Sequence, residues 1–214
     1  MPFAWLASHA QAWLEVFEHN GYPKIFERVR QLIGEGGDKV VPQITSLDPE
    51  SHEGKRLSTE RAVLYRRSYL PGLRAFPKAE ALLRRLSGAG LRLVVASSAK
   101  SDELRPLLQL CGALPFLDQQ ASSDDAERSK PDPDIVRVAL RKAACSPAEA
   151  VLLGDTPYDV LAALKAGVGA VALRSGGHSD SALHRALAIY DDAADLLANF
   201  ETSIFAHPRL GPRR

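Results

Sequence analysis

The sequence predicts an α/β protein: a parallel sheet covered by helices, behind a purely helical N-terminal segment. Three observations carry this. Residues 9 to 73 place apolar side chains at helical spacing and contain no strand-like run. From residue 79 onward, short aliphatic runs alternate with amphipathic stretches, as in β/α units joined by right-handed crossovers. Polar residues stand just past several of those aliphatic runs, where open α/β sheets bind ligands.

Each element follows from local pattern. Trp13, Val16 and Phe17 share one helical face, and Gly21 ends that helix. Ile25, Val29, Leu32 and Ile33 form a second stripe, closed by Gly34. The loop of Gly36-Gly37 leads to a third helix through Val40, Val41 and Ile44. Asp48-Pro49 opens a long fourth segment with Leu57, Ala62, Leu64, Tyr65 and Tyr69, stopped by Pro71-Gly72. Together these predict a small helical bundle. Ala79 to Leu86 is an amphipathic helix, and Leu91 to Ala96 is a buried strand. Ser101 is expected to cap a helix through Leu110; a weaker strand runs from Phe116 toward Ser122. A helix over Asp132 to Ala143 precedes the strand Ala150 to Leu153. Pro157 to Ala166 is a helix stopped by Gly167, Gly169 to Leu173 a strand, and Asp191 to Phe200 a final helix. The expected division is residues 1–73, residues 74–202 and a tail from 203 to 214, whose basic end Pro208 to Arg214 reads as frayed.

Composition bounds the function. The chain has 214 residues, 45% of them hydrophobic, enough for a sizeable core. Its formal net charge is +1, without a long block of one sign, which argues against a nucleic-acid or membrane partner. No apolar stretch approaches the ~20 residues of a membrane span, and the N-terminus lacks a signal-peptide pattern. Cys111 and Cys145 read as buried free thiols, which fits a reducing, cytoplasmic setting.

The residues beyond the aliphatic runs carry the chemistry. Ser97 and Ser98 follow Val94-Val95-Ala96, where hydroxyls and free amides can donate to phosphate oxygens. The competing reading is that Ser98 or Ser101 only caps a helix. Lys130, stiffened by Pro131 and Pro133, offers a compact positive charge to a phosphate, or is a solvated loop lysine. Asp155 follows the strand ending Leu153-Gly154, and Asp159 lies one helical turn on. Two carboxylates so spaced suit Mg²⁺, which takes one or two carboxylates, waters and substrate oxygens. Alternatively, Asp155 and Thr156 cap a helix whose positive end favours Asp159.

In these residues the chain resembles the haloacid dehalogenase superfamily, particularly its phosphoglycolate phosphatase and β-phosphoglucomutase-like branch. Ser97 matches the second motif of that family and Lys130, in Lys130-Pro131-Asp132-Pro133-Asp134, the third. Gly154-Asp155-Thr156-Pro157-Tyr158-Asp159 matches the fourth, and Ala166-Gly167-Val168 continues it. The resemblance covers about residues 9 to 200. It implies a Rossmannoid core with an N-terminal helical cap, in which Gly36-Gly37-Asp38 resembles the cap loop. It implies Lys130 and Ser97 as catalytic phosphate-holding residues, assisted by Ser98, with Asp155 and Asp159 as Mg²⁺ ligands. The implied chemistry is hydrolysis of a small phosphorylated metabolite through an aspartyl-phosphate; a phosphomutase would share it. A monomer or weak homodimer is expected.

The family's first motif, DxDGT or DxDxT on the first strand, carries the nucleophile and the general acid. Counted back from His9, that nucleophile falls before Met1. Residues 1 to 8 match no such motif, hold no carboxylate, and suffice for part of a strand at most; Glu15 is the first acidic residue. The expectation is therefore a sequence that starts late and is inactive as written. A non-catalytic relative that binds a phosphorylated ligand or a partner protein is the alternative. The missing strand belongs between the strands ending at Ala96 and Leu153, whose edges should then lie open.

Overall fold

The computed structural model describes residues 4–23 and 25–206, so the expected frayed tail from Pro208 lies outside the described residues. The chain forms two compact units, Met1–Arg74 and Ala75–Arg214.

The first unit holds α1 (Ala4–His19), α2 (Phe26–Leu32), α3 (Gly37–Thr45) and α4 (His52–Leu64). In α1, Ala10, Trp13, Leu14 and Phe17 recur at i, i+3, i+4 and i+7, and all four are buried. They meet Val29 and Leu32 of α2, Val40 and Val41 of α3, and Leu57 of α4. Trp13 and Phe17 stack with centroids 5.1 Å apart. A π-helical turn, Tyr65–Tyr69, continues α4. It carries the fully buried Tyr65, stacked on His9 at 4.0 Å. Residues 4–8 do not supply part of a strand; they are the first turns of α1.

The second unit is the α/β layer. Its helices are α5 (Ala79–Gly88), α6 (Ser101–Leu110), α7 (Asp134–Ala143), α8 (Pro157–Lys165), α9 (Asp180–Leu183) and α10 (Ala193–Ala198). Its strands are β1 (Val94–Ala96), β2 (Gln119–Ala121), β3 (Val151–Gly154), β4 (Gly169–Leu173) and β5 (Ala188–Tyr190). All pairing is parallel, as the alternation of strand and helix requires. The described strands form two sheets, β1-β2 and β3-β4-β5.

Shared helices join the two sheets into one layer. On one face Ile135 and Val136 of α7 and Val160 and Ala163 of α8 pack with Ala96, Ala121, Leu152 and Ala170. On the other, Leu82 and Leu86 of α5 and Leu196 of α10 pack with Leu93, Leu153 and Val171. Strand residues of both sheets thus enter the first core, and the second takes residues of β3, β4 and β5 together with Leu93, just ahead of β1. Among the described residues, β1 pairs only with β2, and β3 pairs only with β4 among the strands. Val94, Val95, Ala96 and all four residues of β3 are half-buried, although their sequence is that of buried strands.

Several elements differ from the sequence reading. The strand expected over Leu91 to Ala96 begins only at Val94, because Leu91 N–H still bonds to Leu86 at the end of α5. Strand β5 was not expected; it precedes a final helix shorter than anticipated. Ser101 is not the cap of α6: Lys100 holds that position, and Asp124 accepts the Ser101 N–H at 2.9 Å. Cys111 and Cys145 are free, but half-buried rather than buried.

Candidate active site

The fourth segment forms as a strand, a turn and a helix. Val151-Leu152-Leu153-Gly154 is β3, and Thr156 is the N-cap of α8 with Pro157 at its first position, where the missing N–H costs nothing. Thr156 and Asp159 make a capping box: Thr156 N–H and hydroxyl donate to Asp159 Oδ2 at 3.0 and 2.7 Å, and Asp159 N–H donates to Thr156 Oγ1 at 3.3 Å. Asp155 N–H also donates to Asp159 Oδ2, at 3.3 Å. The capping reading is therefore realised by Thr156 and Asp159. It does not exhaust Asp159, because its other oxygen faces Lys130.

Lys130 is not a solvated loop residue. Its ammonium lies 2.6 Å from Asp159 Oδ1, and the two side chains are only 10% and 9% exposed. A charge-assisted bond this short inside the fold orients both groups. Burial works against the charge of Asp159. The Lys130 ammonium and the hydrogen bonds from Lys130 and Thr156 outweigh it and hold the carboxyl below the usual range. Asp155 behaves oppositely. Burial of its carboxyl, and then the neighbouring Asp159 charge, push it up to about 7 against the weaker pull of Lys130. One cation thus faces two carboxyl groups, and a further cation beside Asp155 would favour its ionised form.

Glycines permit this crowding. A Cβ on Gly154 would lie 2.4 Å from the Asp159 Cβ. A Cβ on Gly176 would lie 1.8 Å from the Asp155 carbonyl oxygen. Both distances are below any real contact, so each position admits only glycine without displacing an acidic residue. Sequence reasoning missed Gly176. The available signal was a Gly176-Gly177 pair just past the strand Gly169 to Leu173.

Ser97 and Ser98 sit half-buried past β1. Ser97 N–H donates to the Ala121 carbonyl at 2.9 Å, and its hydroxyl accepts the Ala99 N–H at 3.1 Å. This turn brings Ser97 to the C-terminal end of β1, as Asp155 stands at that end of β3. Gly36 and Gly37 belong to the first unit, where Gly36 is the N-cap of α3; a Cβ on Gly37 would meet Ser58 Oγ at 3.2 Å. Among the described residues no group of three or more His, Cys, Asp or Glu side chains forms a metal cage. The donor set at β3 fits a cation that draws its other ligands from water and substrate.

The chain is similar to several known proteins. The chain is 31% identical over 177 residues to the phosphoglycolate phosphatase of Rhodospirillum rubrum, covering 78% of this chain and 73% of that protein. It is 29% identical over 145 residues to pyrophosphatase PpaX of Bacillus velezensis, and there it spans 68% of itself and 59% of the relative. Among solved structures, a hydrolase from Pseudomonas syringae superposes with TM-score 0.83 at 30% identity, covering 93% of each chain. CbbY from Rhodobacter sphaeroides, solved in complex with phosphate, superposes with TM-score 0.68 at 25% identity, covering 88% of each. The family model described as haloacid dehalogenase-like hydrolase matches residues 6–173. This chain belongs to the haloacid dehalogenase-like hydrolase family.

Proposed function

We propose that this chain carries the phosphate- and metal-binding half of a Mg²⁺-dependent phosphatase site for a small phosphorylated metabolite. The buried Lys130–Asp159 pair, with Asp155 beside it at the end of β3, carries this reading. Lys130 and Ser97, with Ser98, would hold the phosphate oxygens. Asp155 would be the foremost Mg²⁺ ligand, since both oxygens of Asp159 already accept hydrogen bonds; Asp159 would join it through its remaining lone pairs and would orient Lys130. Bound Mg²⁺ would neutralise phosphate charge and polarise the phosphoryl group. The names of the phosphoglycolate phosphatase and pyrophosphatase relatives support the substrate class.

The nucleophile is the open part of the reading. The one-sided pairing of β1 and β3 supports a parallel strand between them as its carrier, with an aspartate at its C-terminal end. No described segment supplies that strand. The same observation favours a second reading, a non-catalytic relative that binds a phosphorylated ligand or a partner protein. A phosphomutase would use the same residues.

The metal assignment is tested by titration calorimetry with Mg²⁺. Wild type should bind weakly and Asp155→Ala should not bind. Equal binding by both would contradict the assignment.

A further inference from the structure

The turn after β4 is held by one arginine. Arg174 begins it, and its guanidinium takes three charge-assisted bonds. Nε and Nη2 donate to the two oxygens of Asp180 at 2.7 and 2.9 Å, and Nη1 donates to Asp191 Oδ1 at 2.7 Å. Asp180 opens α9 and Asp191 follows β5, so one side chain ties the end of β4 to the two elements that follow it. The turn closes with Gly177 N–H on the Arg174 carbonyl at 2.8 Å, and Gly177 adopts φ +74°. Ser175 and Gly176 are buried within it. Gly176 abuts Asp155 so closely that its missing Cβ would fall 1.8 Å from the Asp155 carbonyl oxygen and 3.1 Å from the Asp155 Cβ.

The register explains the contact. Gly154 pairs with Ala172 in the β3–β4 ladder, so the residues just past each strand end lie side by side. Asp155 has little freedom on its other side, where its own N–H is bonded to Asp159. A backstop at Gly176 therefore fixes where the Asp155 backbone sits and where its carboxyl can reach.

We propose that Arg174 is a positioning residue for Asp155: its clamp on Asp180 and Asp191 presses the Gly176 backbone against Asp155 and sets that carboxyl for a divalent cation. The inference rests on the metal-site reading above. It differs from simple electrostatics in sign. Loss of a positive charge near a cation site would by itself tighten cation binding. Loss of a positioning clamp loosens it, and partners that orient a metal ligand typically affect affinity by about tenfold or more.

The experiment uses Mn²⁺ as the probe, read by water-proton relaxation enhancement, with thermal melts run alongside. Arg174→Met should stay folded and weaken Mn²⁺ binding about tenfold. Arg174→Lys, which keeps the charge and part of the clamp, should recover part of the loss. Gly176→Ala should weaken binding at least as much, because its Cβ displaces Asp155. Asp155→Asn separates the two ideas. If it leaves Mn²⁺ binding unchanged, the metal-site reading fails. If it abolishes binding while folded Arg174→Met binds as tightly as wild type or more tightly, the positioning role is overturned.

Discussion

Strand β4 and its neighbour β3 are equally aliphatic, yet they are not equally buried. β4 has a parallel partner on each side, and Ala170, Val171 and Ala172 are 1%, 0% and 0% exposed. β3 has one strand partner, and Val151, Leu152, Leu153 and Gly154 are all half-buried; β1, likewise paired on one side, has the same pattern in Val94, Val95 and Ala96. Helices lie on both faces of β3 as of β4, and β1 packs Ala96 against α7 and α8 and Val95 against Leu104 and Leu108 of α6. What separates them is the unpaired edge. In a parallel sheet, burial follows from pairing on both sides as well as from helices on both faces.

The comparison is broken most decisively by filling the space. A variant with an apolar strand and a DxDGT loop fused ahead of Met1 should pair with β1 and β3 and bury their half-exposed side chains. Burying two or three of them further is worth several kcal/mol, on the order of 10 °C in a chain this size. Thermal melts of both proteins in one buffer measure it. If the chain as given melts as high and as cooperatively as the extended one, the edges are already satisfied and the account of the sheet is wrong. The chain as given should also be the more prone to aggregate, because an open strand edge invites pairing with another chain.

Lys130→Ala should have the next largest effect. It leaves two carboxylates crowded at the end of β3 without their cation. Breaking a buried pair in this way costs about 3–5 kcal/mol. Lys130→Met, with Asp159→Asn added, should recover part of that stability, because it also removes the stranded charge. Urea midpoints for the single and double variants decide it; equal midpoints for wild type and Lys130→Ala would show that the pair contributes nothing.

A matched pair of truncations sharpens the contrast at smaller scale. Val171→Ala removes two methyls from the paired strand, and Val151→Ala removes the same groups from the one-sided strand. The first should cost about 2 kcal/mol and the second about half as much, since less surface leaves water at β3. Equal losses would mean that the exposure of β3 has no energetic meaning.

The first unit supplies a control without any sheet. Burial, and then the charge of Arg61, lower the pKa of His9 from 6.5 to about 3. The unfolded chain therefore binds the extra proton first as pH falls. His9 contributes its full stability above pH 6.5 and loses it progressively toward pH 3. The loss reaches at most about 1.4 kcal/mol per pH unit. Melts at pH 7.5 and 5.5 should show a smaller pH shift for His9→Phe, which keeps a ring on Tyr65, than for wild type. Equal shifts would remove His9 from the account.

Much of the site was legible because its signals are local. Gly154-Asp155-Thr156-Pro157 marks a strand end, a cap and a helix start within four residues, and β3 and α8 form there. Lys130 was legible as a positioned charge, but its partner was not. Asp159 lies 29 residues on, and their contact exists only once α7 and α8 pack on one face of the strands. Gly176 was hidden for the same reason. In sequence it is half of a turn, and its closeness to Asp155 comes from the β3–β4 register. Strand β5 escaped because Ala188-Ile189-Tyr190 is too short to show a period.

The central proposal is that Lys130, Asp155 and Asp159 form part of a phosphatase site whose nucleophile belongs on a further parallel strand. The most direct measurement is Mg²⁺-dependent hydrolysis of a generic aryl phosphate by the chain as given and by the variant with the fused DxDGT strand. The account predicts background turnover for the first and robust turnover for the second, abolished by Lys130→Ala. Robust Mg²⁺-dependent turnover by the chain as given, lost in Lys130→Ala, would contradict it and place the nucleophile among residues 1–214.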